Sequence, residues 1–286
     1  MTQQLSDMAN TQELSKIASQ VRRDIVRMVT AAKSGHPGGS LGITDVMTAL
    51  YFSEMKHDPA TWTRSAKGQD AFIISAGHLA PVYYSVLARA GYFPTAELGT
   101  LRRFGTRLQG HPCVTDGLPG VFQSSGSLGQ GLSCAAGIAK GKKLDGDGRR
   151  VYCLLGDGES EEGQIWEAGM WAVHEGLDNL IAFTDWNGQQ IDGPVASVAG
   201  VGDLREKWSA FGWDVIEADG HDFDSILQAF KLAHAANGKP KMILFRTEMG
   251  HGVDFMAGTH KWHGKAPSAE QCEAAMKQLE ETLGDY

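Results

Sequence analysis

Arg150-Val-Tyr-Cys-Leu-Leu-Gly-Asp-Gly158 decides how this chain folds: a short apolar run, rich in residues that suit a pleated surface, stops abruptly at a glycine–acid–glycine turn. A run that is apolar at every position, not at alternate ones, predicts a strand buried on both faces, the usual condition of a parallel sheet. The same pattern recurs at Ala71–Ser75, Leu180–Thr184, Trp213–Glu217 and Met242–Phe245. Between these strands, helical periodicity covers 80–91, 129–143, 161–175, 203–211 and 222–236. Strand and helix alternating in this way predict an α/β fold, a parallel sheet with helices on both faces. Ahead of it, Leu14, Ile17, Val21, Ile25, Met28 and Val29 recur at three- and four-residue steps and predict a long helix over 11–32, closed by Ser34-Gly35. Thr44 caps a second helix through Tyr51, and Gln271–Leu283 reads as a tail helix that packs on the domain. No repeat, linker or charge block divides the chain. The expectation is one domain over 1–286, with a helical lead-in at 1–68 and a tail at 264–286.

Composition narrows the function classes. The 286 residues are 42% hydrophobic and 21% charged, close to globular averages, which excludes disorder and low complexity. With 26 basic against 34 acidic residues the net charge is −8, so no broad basic surface invites a nucleic acid or an anionic membrane. The N-terminus lacks a secretory pattern and no segment reaches ~18 uninterrupted apolar residues, so a cytoplasmic protein is expected. Cys113, Cys134, Cys153 and Cys272 are too widely spaced for a zinc site and read as buried thiols.

In open parallel sheets, ligands bind at the carboxyl ends of the strands. Five of the ten histidines, His36, His78, His111, His221 and His251, directly follow glycine, where a glycine content of 36 in 286 predicts about one such pair. Glycine lets the backbone approach a ligand and imidazole exchanges protons near neutral pH. Any one of them alone reads as a satisfied loop histidine; five together predict a convergent ring. Gly156-Asp157-Gly158, with Asn187 at the end of the following strand and Gln189 two residues on, offers a carboxylate, an amide oxygen and a backbone carbonyl. A hard divalent cation takes such oxygens and leaves positions for phosphate, so the pattern predicts a magnesium–diphosphate clamp, although Gly-Asp-Gly by itself is an ordinary turn.

These residues resemble the thiamine diphosphate enzymes, specifically the N-terminal half of transketolase, from about Thr11 to Gly264. The segments that carry the likeness are SGHPGGSLG (34–42), SAGHLAPVYYS (75–85), QGHP (109–112), PGVFQSSGSLGQG (119–131), GDGESEEGQIWEA (156–168), DWNGQQIDG (185–193), DGHDFDSI (219–226) and WHG (262–264). The resemblance implies the thiamine diphosphate-binding fold of the diphosphate-binding type. It implies magnesium, with calcium or manganese able to replace it, on Asp157, Asn187 and the Gln189 carbonyl. Gly158 and His78 then contact the diphosphate, with His263 close by, and Gly126 and Leu128 lie against the aminopyrimidine. His36, His111 and His263 face substrate as catalytic groups. Glu162, also a catalytic and cofactor-site residue, and Glu167 match acids at the family's subunit interface.

The resemblance further implies transfer of a two-carbon ketol unit from a ketose to an aldose. The activating glutamate and most phosphate-gripping residues of the family lie in a pyrimidine-binding domain beyond this chain. An α2β2 heterotetramer with a separate pyrimidine-binding subunit is therefore expected, with small sugars as substrates and neither nucleic acid nor membrane as partner. Ser125-Gly-Ser-Leu-Gly-Gln-Gly131 departs from the commoner Thr-Gly-Pro-Leu-Gly-Gln-Gly, and Thr247–Gly252 departs from a threonine-rich loop, leaving His251 without a role. The alternatives are the alpha subunit of a 2-oxo acid dehydrogenase, which shares the Gly-Asp-Gly clamp, a transketolase-like enzyme for a sulfonated or branched ketose, a catalytically idle cofactor-binding partner, and a nucleotide-binding protein. The glycine order of Gly126–Gly131 and the lack of a phosphate-loop motif disfavour the last.

Overall fold

A computed structural model describes residues 10–286. Five strands, β1 (Ala71–Ile74), β2 (Val151–Gly156), β3 (Leu180–Trp186), β6 (Asp214–Asp219) and β7 (Lys241–Arg246), form one sheet in the order β1-β2-β3-β7-β6. Every pairing is parallel, so all five carboxyl ends open on the same edge. The register sets Gly156 beside Asp185, which brings the turn after β2 level with the end of β3. Two-residue strands β4 (Gln189–Gln190) and β5 (Gly193–Pro194) make a small hairpin above that edge.

Alternate strand residues feed two cores. Phe72, Tyr152, Phe183 and Phe245 pack with α1 (Thr11–Ala32), α3 (Thr44–Ala49), α4 (Ala80–Arg89) and α9 (Phe223–Ala233). Ile73, Cys153, Ala182 and Leu244 pack with α5 (Gln130–Leu144), α6 (Gly163–His174) and α8 (Leu204–Ala210), where Trp208 is fully enclosed. The expected parallel sheet with helices on both faces is therefore observed, with strand ends within two residues of those predicted.

Four local readings change. Pro37–Gly42, in the gap left between the two expected helices, is a buried helix, α2. Its glycines admit very close neighbours: a Cβ at Gly42 would sit 2.8 Å from the Glu248 carbonyl oxygen and one at Gly38 2.9 Å from that of Trp262. Close packing offsets the ~1 kcal/mol helix penalty of each glycine. A short helix over Val195–Ala199 (α7), unpredicted, follows β5. The helix expected from 161 begins at Gly163, because Gly158–Glu161 forms a tighter 3₁₀ turn first. The tail helix is Ala269–Met276 (α10) and not 271–283. A Ser268–Gln271 capping box starts it early, and Arg23 ends it by donating to the Met276 and Leu279 carbonyls. The residues beyond run along α1, where Arg23 also grips Asp285. Of the cysteines, only Cys153 is buried; Cys134 lies on the outer side of α5, and Cys113 and Cys272 are partly exposed.

Candidate active site at the carboxyl edge of the sheet

Strand ends and their following turns supply nearly every polar group of the site. Asp157, just past β2, is 3% exposed; its two carboxylate oxygens accept from the backbone N–H of Gly158 (2.7 Å) and of Gly188 (2.6 Å). Next to it Asp185, within β3, accepts from the Asn187 side-chain amide (2.8 Å) and from the Thr247 hydroxyl. That bond turns the Asn187 Oδ1 outward, where it accepts from the Gln189 N–H at 2.9 Å. Glu159, also buried, accepts from Ser75 and from the Gly129 and Gly156 amides, tying β1, β2 and the start of α5 together.

Three buried acids thus share one corner, and no lysine or arginine is among their bonded partners. Burial, then the charge of Asp185, pushes the Asp157 carboxyl up to about 7; burial pushes Asp185 up to about 6. Such a site lacks positive charge, and its donor set of carboxylate, amide and carbonyl oxygens fits a divalent cation such as magnesium. Asp157, Gly158, Glu162, Asn187, Gln189, Leu128, His78 and His263 line one cavity of about 230 Å³.

His78 and His263, on that lining, meet His36 and His111 in a cluster of four imidazoles. The His36 ring lies 5.5 Å from His78, 6.0 Å from His111 and 5.5 Å from His263, and His78 lies 4.9 Å from His263. Burial depresses all four, helped by the neighbouring imidazoles at His36 and His78 and by Arg102 at His111. His36 falls to about 4, through burial, then His263, Arg102 and His111; His78 falls well below its ordinary value, and His111 and His263 fall as well. All four are neutral at neutral pH. The buried His263 Nδ1 has no hydrogen-bond partner within the described residues, so a polar ligand atom has a vacant place to bond. Gly126, at φ +139°, brings its backbone against the His111 ring, where a Cβ would stand 3.3 Å away. The cradle suits a diphosphate at the metal end and a ring against Gly126 and Leu128.

Of the five glycine-following histidines expected to form one ring, three, His36, His78 and His111, converge, and His263 joins them. Asp157, Gly158, Asn187 and Gln189 share one corner, with Leu128 and Glu162 on the same wall. Glu167 is exposed on α6, away from that lining. His221 and His251 join elsewhere: their rings stack 3.6 Å apart, and His221 bridges Asp45 (3.0 Å) and the Glu248 N–H (2.9 Å). Asp185, Glu159, Thr247, Ser75 and Arg102 were given no role; Asp185 and Glu159 could have been flagged as acids inside or just after an apolar strand.

Residues 14–284 match the family described as "Transketolase, thiamine diphosphate binding domain". The chain belongs to this family. It is 42% identical over 270 residues, 94% of this chain and 96% of the relative, to the 6-deoxy-6-sulfo-D-fructose transketolase subunit of a Clostridium strain. It is 38% identical over 264 residues, 92% of each chain, to one subunit of the apulose-4-phosphate transketolase of Phocaeicola vulgatus. Crystallographic transketolase from Campylobacter jejuni superposes with a TM-score of 0.87 at 31% identity, covering 95% of this chain but 43% of that one. Transketolase from Pichia stipitis with sedoheptulose 7-phosphate gives 0.86 at 33%, covering 93% and 40%. The chain thus spans about two-fifths of those transketolase chains. The transketolase expectation, and not the 2-oxo acid dehydrogenase alternative, is the one these matches bear out, and the thiamine diphosphate-binding fold with them. No helix of the described residues is long and apolar enough to cross a membrane.

Proposed function

We propose that this transketolase-family chain is the diphosphate-binding subunit of a two-subunit transketolase in the cytoplasm, a single domain that pairs with a separate pyrimidine-binding subunit in an α2β2 heterotetramer. The observation that carries the proposal is a cluster of four neutral imidazoles, two of which, His78 and His263, line the same cavity as an acidic corner without a basic partner. The Clostridium and Phocaeicola relatives, each named as one subunit of a transketolase, support the division into two chains. Asp157, Asn187 and the Gln189 carbonyl hold magnesium; Gly158, His78 and the unpartnered His263 Nδ1 receive the diphosphate; Gly126 and Leu128 form the wall for the aminopyrimidine. When bound, thiamine diphosphate supplies the carbon nucleophile and the electron sink that cleavage of a ketose carbon–carbon bond requires.

The chain's own residues orient and move protons. His36, His111 and His263, kept neutral by burial, each offer one N–H and one lone pair to the substrate's hydroxyls, and so accept the proton of the hydroxyl that becomes the aldose carbonyl as the carbon–carbon bond breaks and return one to the acceptor's oxygen as the new ketose forms. Glu162, which precedes α6 with Glu167 one helical turn on, stands on the side expected to meet the partner subunit, in line with acids that link paired sites. Both the sulfosugar and the sugar phosphate named for the relatives end in an anion, so a ketose with an anionic tail is the proposed donor. Mixing the chain with its partner subunit, magnesium and thiamine diphosphate should yield two-carbon transfer from 6-deoxy-6-sulfofructose or fructose 6-phosphate to an aldose phosphate. Turnover of pyruvate-like acids alone would overturn the reading.

A further inference from the structure

Arg102 is built into the histidine ring with unusual care. Its backbone is left-handed at φ +59°, a conformation few non-glycine residues adopt, and it is held there by its N–H donating to the Leu108 carbonyl at 2.7 Å. Gly110 forms a floor under the guanidinium: a Cβ there would stand 2.8 Å from Arg102 Cζ, so only glycine leaves room for the group. One Nη donates to Ser34 Oγ at 2.9 Å and the other reaches His36 Nδ1 at 3.4 Å. Arg22, Arg23, Arg89 and Arg107 are each locked to a carboxylate; Arg102 meets none among the described residues.

Guanidinium carries donors and no acceptor, so the contact with His36 exists only if Nδ1 is the unprotonated nitrogen. We propose that Arg102 is a positioning residue that fixes the His36 tautomer, placing its proton on Nε2, the nitrogen on the Gly264 side of the ring, where the missing side chain leaves room for a substrate oxygen to accept it. The inference rests on the proposed function only in naming substrate as the acceptor; the tautomer follows from the geometry alone. The groups facing His36 are Arg102 and His111 from the segment between α4 and α5, His78 from the turn after β1 and His263 from the segment after β7. None is an acid, so nothing nearby compensates when the guanidinium is removed. Its charge also helps hold His36 neutral, after burial and His263.

The test reads the imidazole directly. In the full chain labelled with ¹⁵N-histidine, His36 (assigned by loss of its signals in His36→Gln) should show a protonated Nε2 and a bare Nδ1 at pH 7. Arg102→Met should mix the two tautomers and move the His36 titration midpoint up toward the ordinary imidazole range. Arg102→Lys should restore the low midpoint with only part of the tautomer bias, because a point charge lacks the fork. Should Arg102→Met fail to fold, Ser34→Ala, which only frees the guanidinium, should mix the tautomers to a smaller extent. In the complex with the partner subunit, Arg102→Met should lower kcat on the order of 10- to 100-fold, the scale seen when the group orienting an imidazole is lost. The acid limb of its kcat/KM profile should move to higher pH, a shift that a purely structural role would not give. His36 signals identical in wild type and in Arg102→Met overturn the proposal. A tautomer change with no ketol transfer by the wild-type complex instead overturns the proposed function and leaves Arg102's role standing.

Discussion

Replacing Asp157 with asparagine should stabilise the metal-free chain at pH 8 and lose that advantage by pH 5. In the metal-free chain burial and Asp185 raise this carboxyl from 3.8 to about 7. Across that window the folded state keeps a proton that the unfolded state has released, so stability falls as pH rises and the full penalty is present above about pH 7. At ~1.4 kcal/mol for each pH unit, the penalty is about 4 kcal/mol. Asparagine removes it, but its NH2 must face one of the two backbone N–H groups, Gly158 or Gly188, that the carboxylate now accepts, at a cost of ~1–3 kcal/mol. The variant should therefore be more stable than wild type by ~1–3 kcal/mol at pH 8, and that advantage should shrink by ~2.5 kcal/mol, to about zero, at pH 5, where the folded carboxyl is protonated but ~1.6 kcal/mol of the penalty remains because the unfolded one is still ionised. Urea titrations followed by tryptophan fluorescence in a chelating buffer measure both values. With magnesium and thiamine diphosphate present the pH 8 order should reverse, since only wild type gains from binding. A destabilisation of equal size at both pH values would refute the reasoning, because it would mean that no buried charge is relieved.

His263→Ala should cost the reconstituted complex at least ~100-fold in two-carbon transfer while leaving the melting temperature of the chain within a few degrees, since it removes a proton-transfer group whose Nδ1 makes no structural bond. Gly131→Ala should destabilise by ~1–3 kcal/mol or more in a denaturant titration, because its Cβ would lie 2.3 Å from Ser75 Cβ and force α5 off β1. Arg23→Met should release the tail: limited proteolysis should cut between Met276 and Tyr286, where wild type is protected by Arg23's bonds to the Met276 and Leu279 carbonyls and to Asp285.

Where local pattern carries information, the reading from residues alone holds. A short run that is apolar at every position reads as buried on both sides, which placed all five long strands; and the Gly-Asp-Gly turn paired with Asn187 singled out Asp157 before any geometry was known. The failures share a cause. Pro37–Gly42 is too rich in glycine to look helical, and it becomes a helix because Glu248, Met249 and Trp262, more than 200 residues later, pack where side chains would otherwise stand. The tail helix ends where Arg23, on the first helix, captures its carbonyls.

The site divides along the same line. Residue pattern named His36, His78, His111 and the acidic corner, but it also named His221 and His251, which meet elsewhere, and His263 came only from the family resemblance. What folding alone decided is how those groups act on one another. Asp185 is silent in the chain order, yet it orients Asn187 and loads Asp157 with charge. Arg102 is one of several arginines until a left-handed backbone and a glycine floor turn it onto His36. Proton positions and charge states depend on distances of a few ångströms between segments far apart in sequence, and no local pattern records those distances.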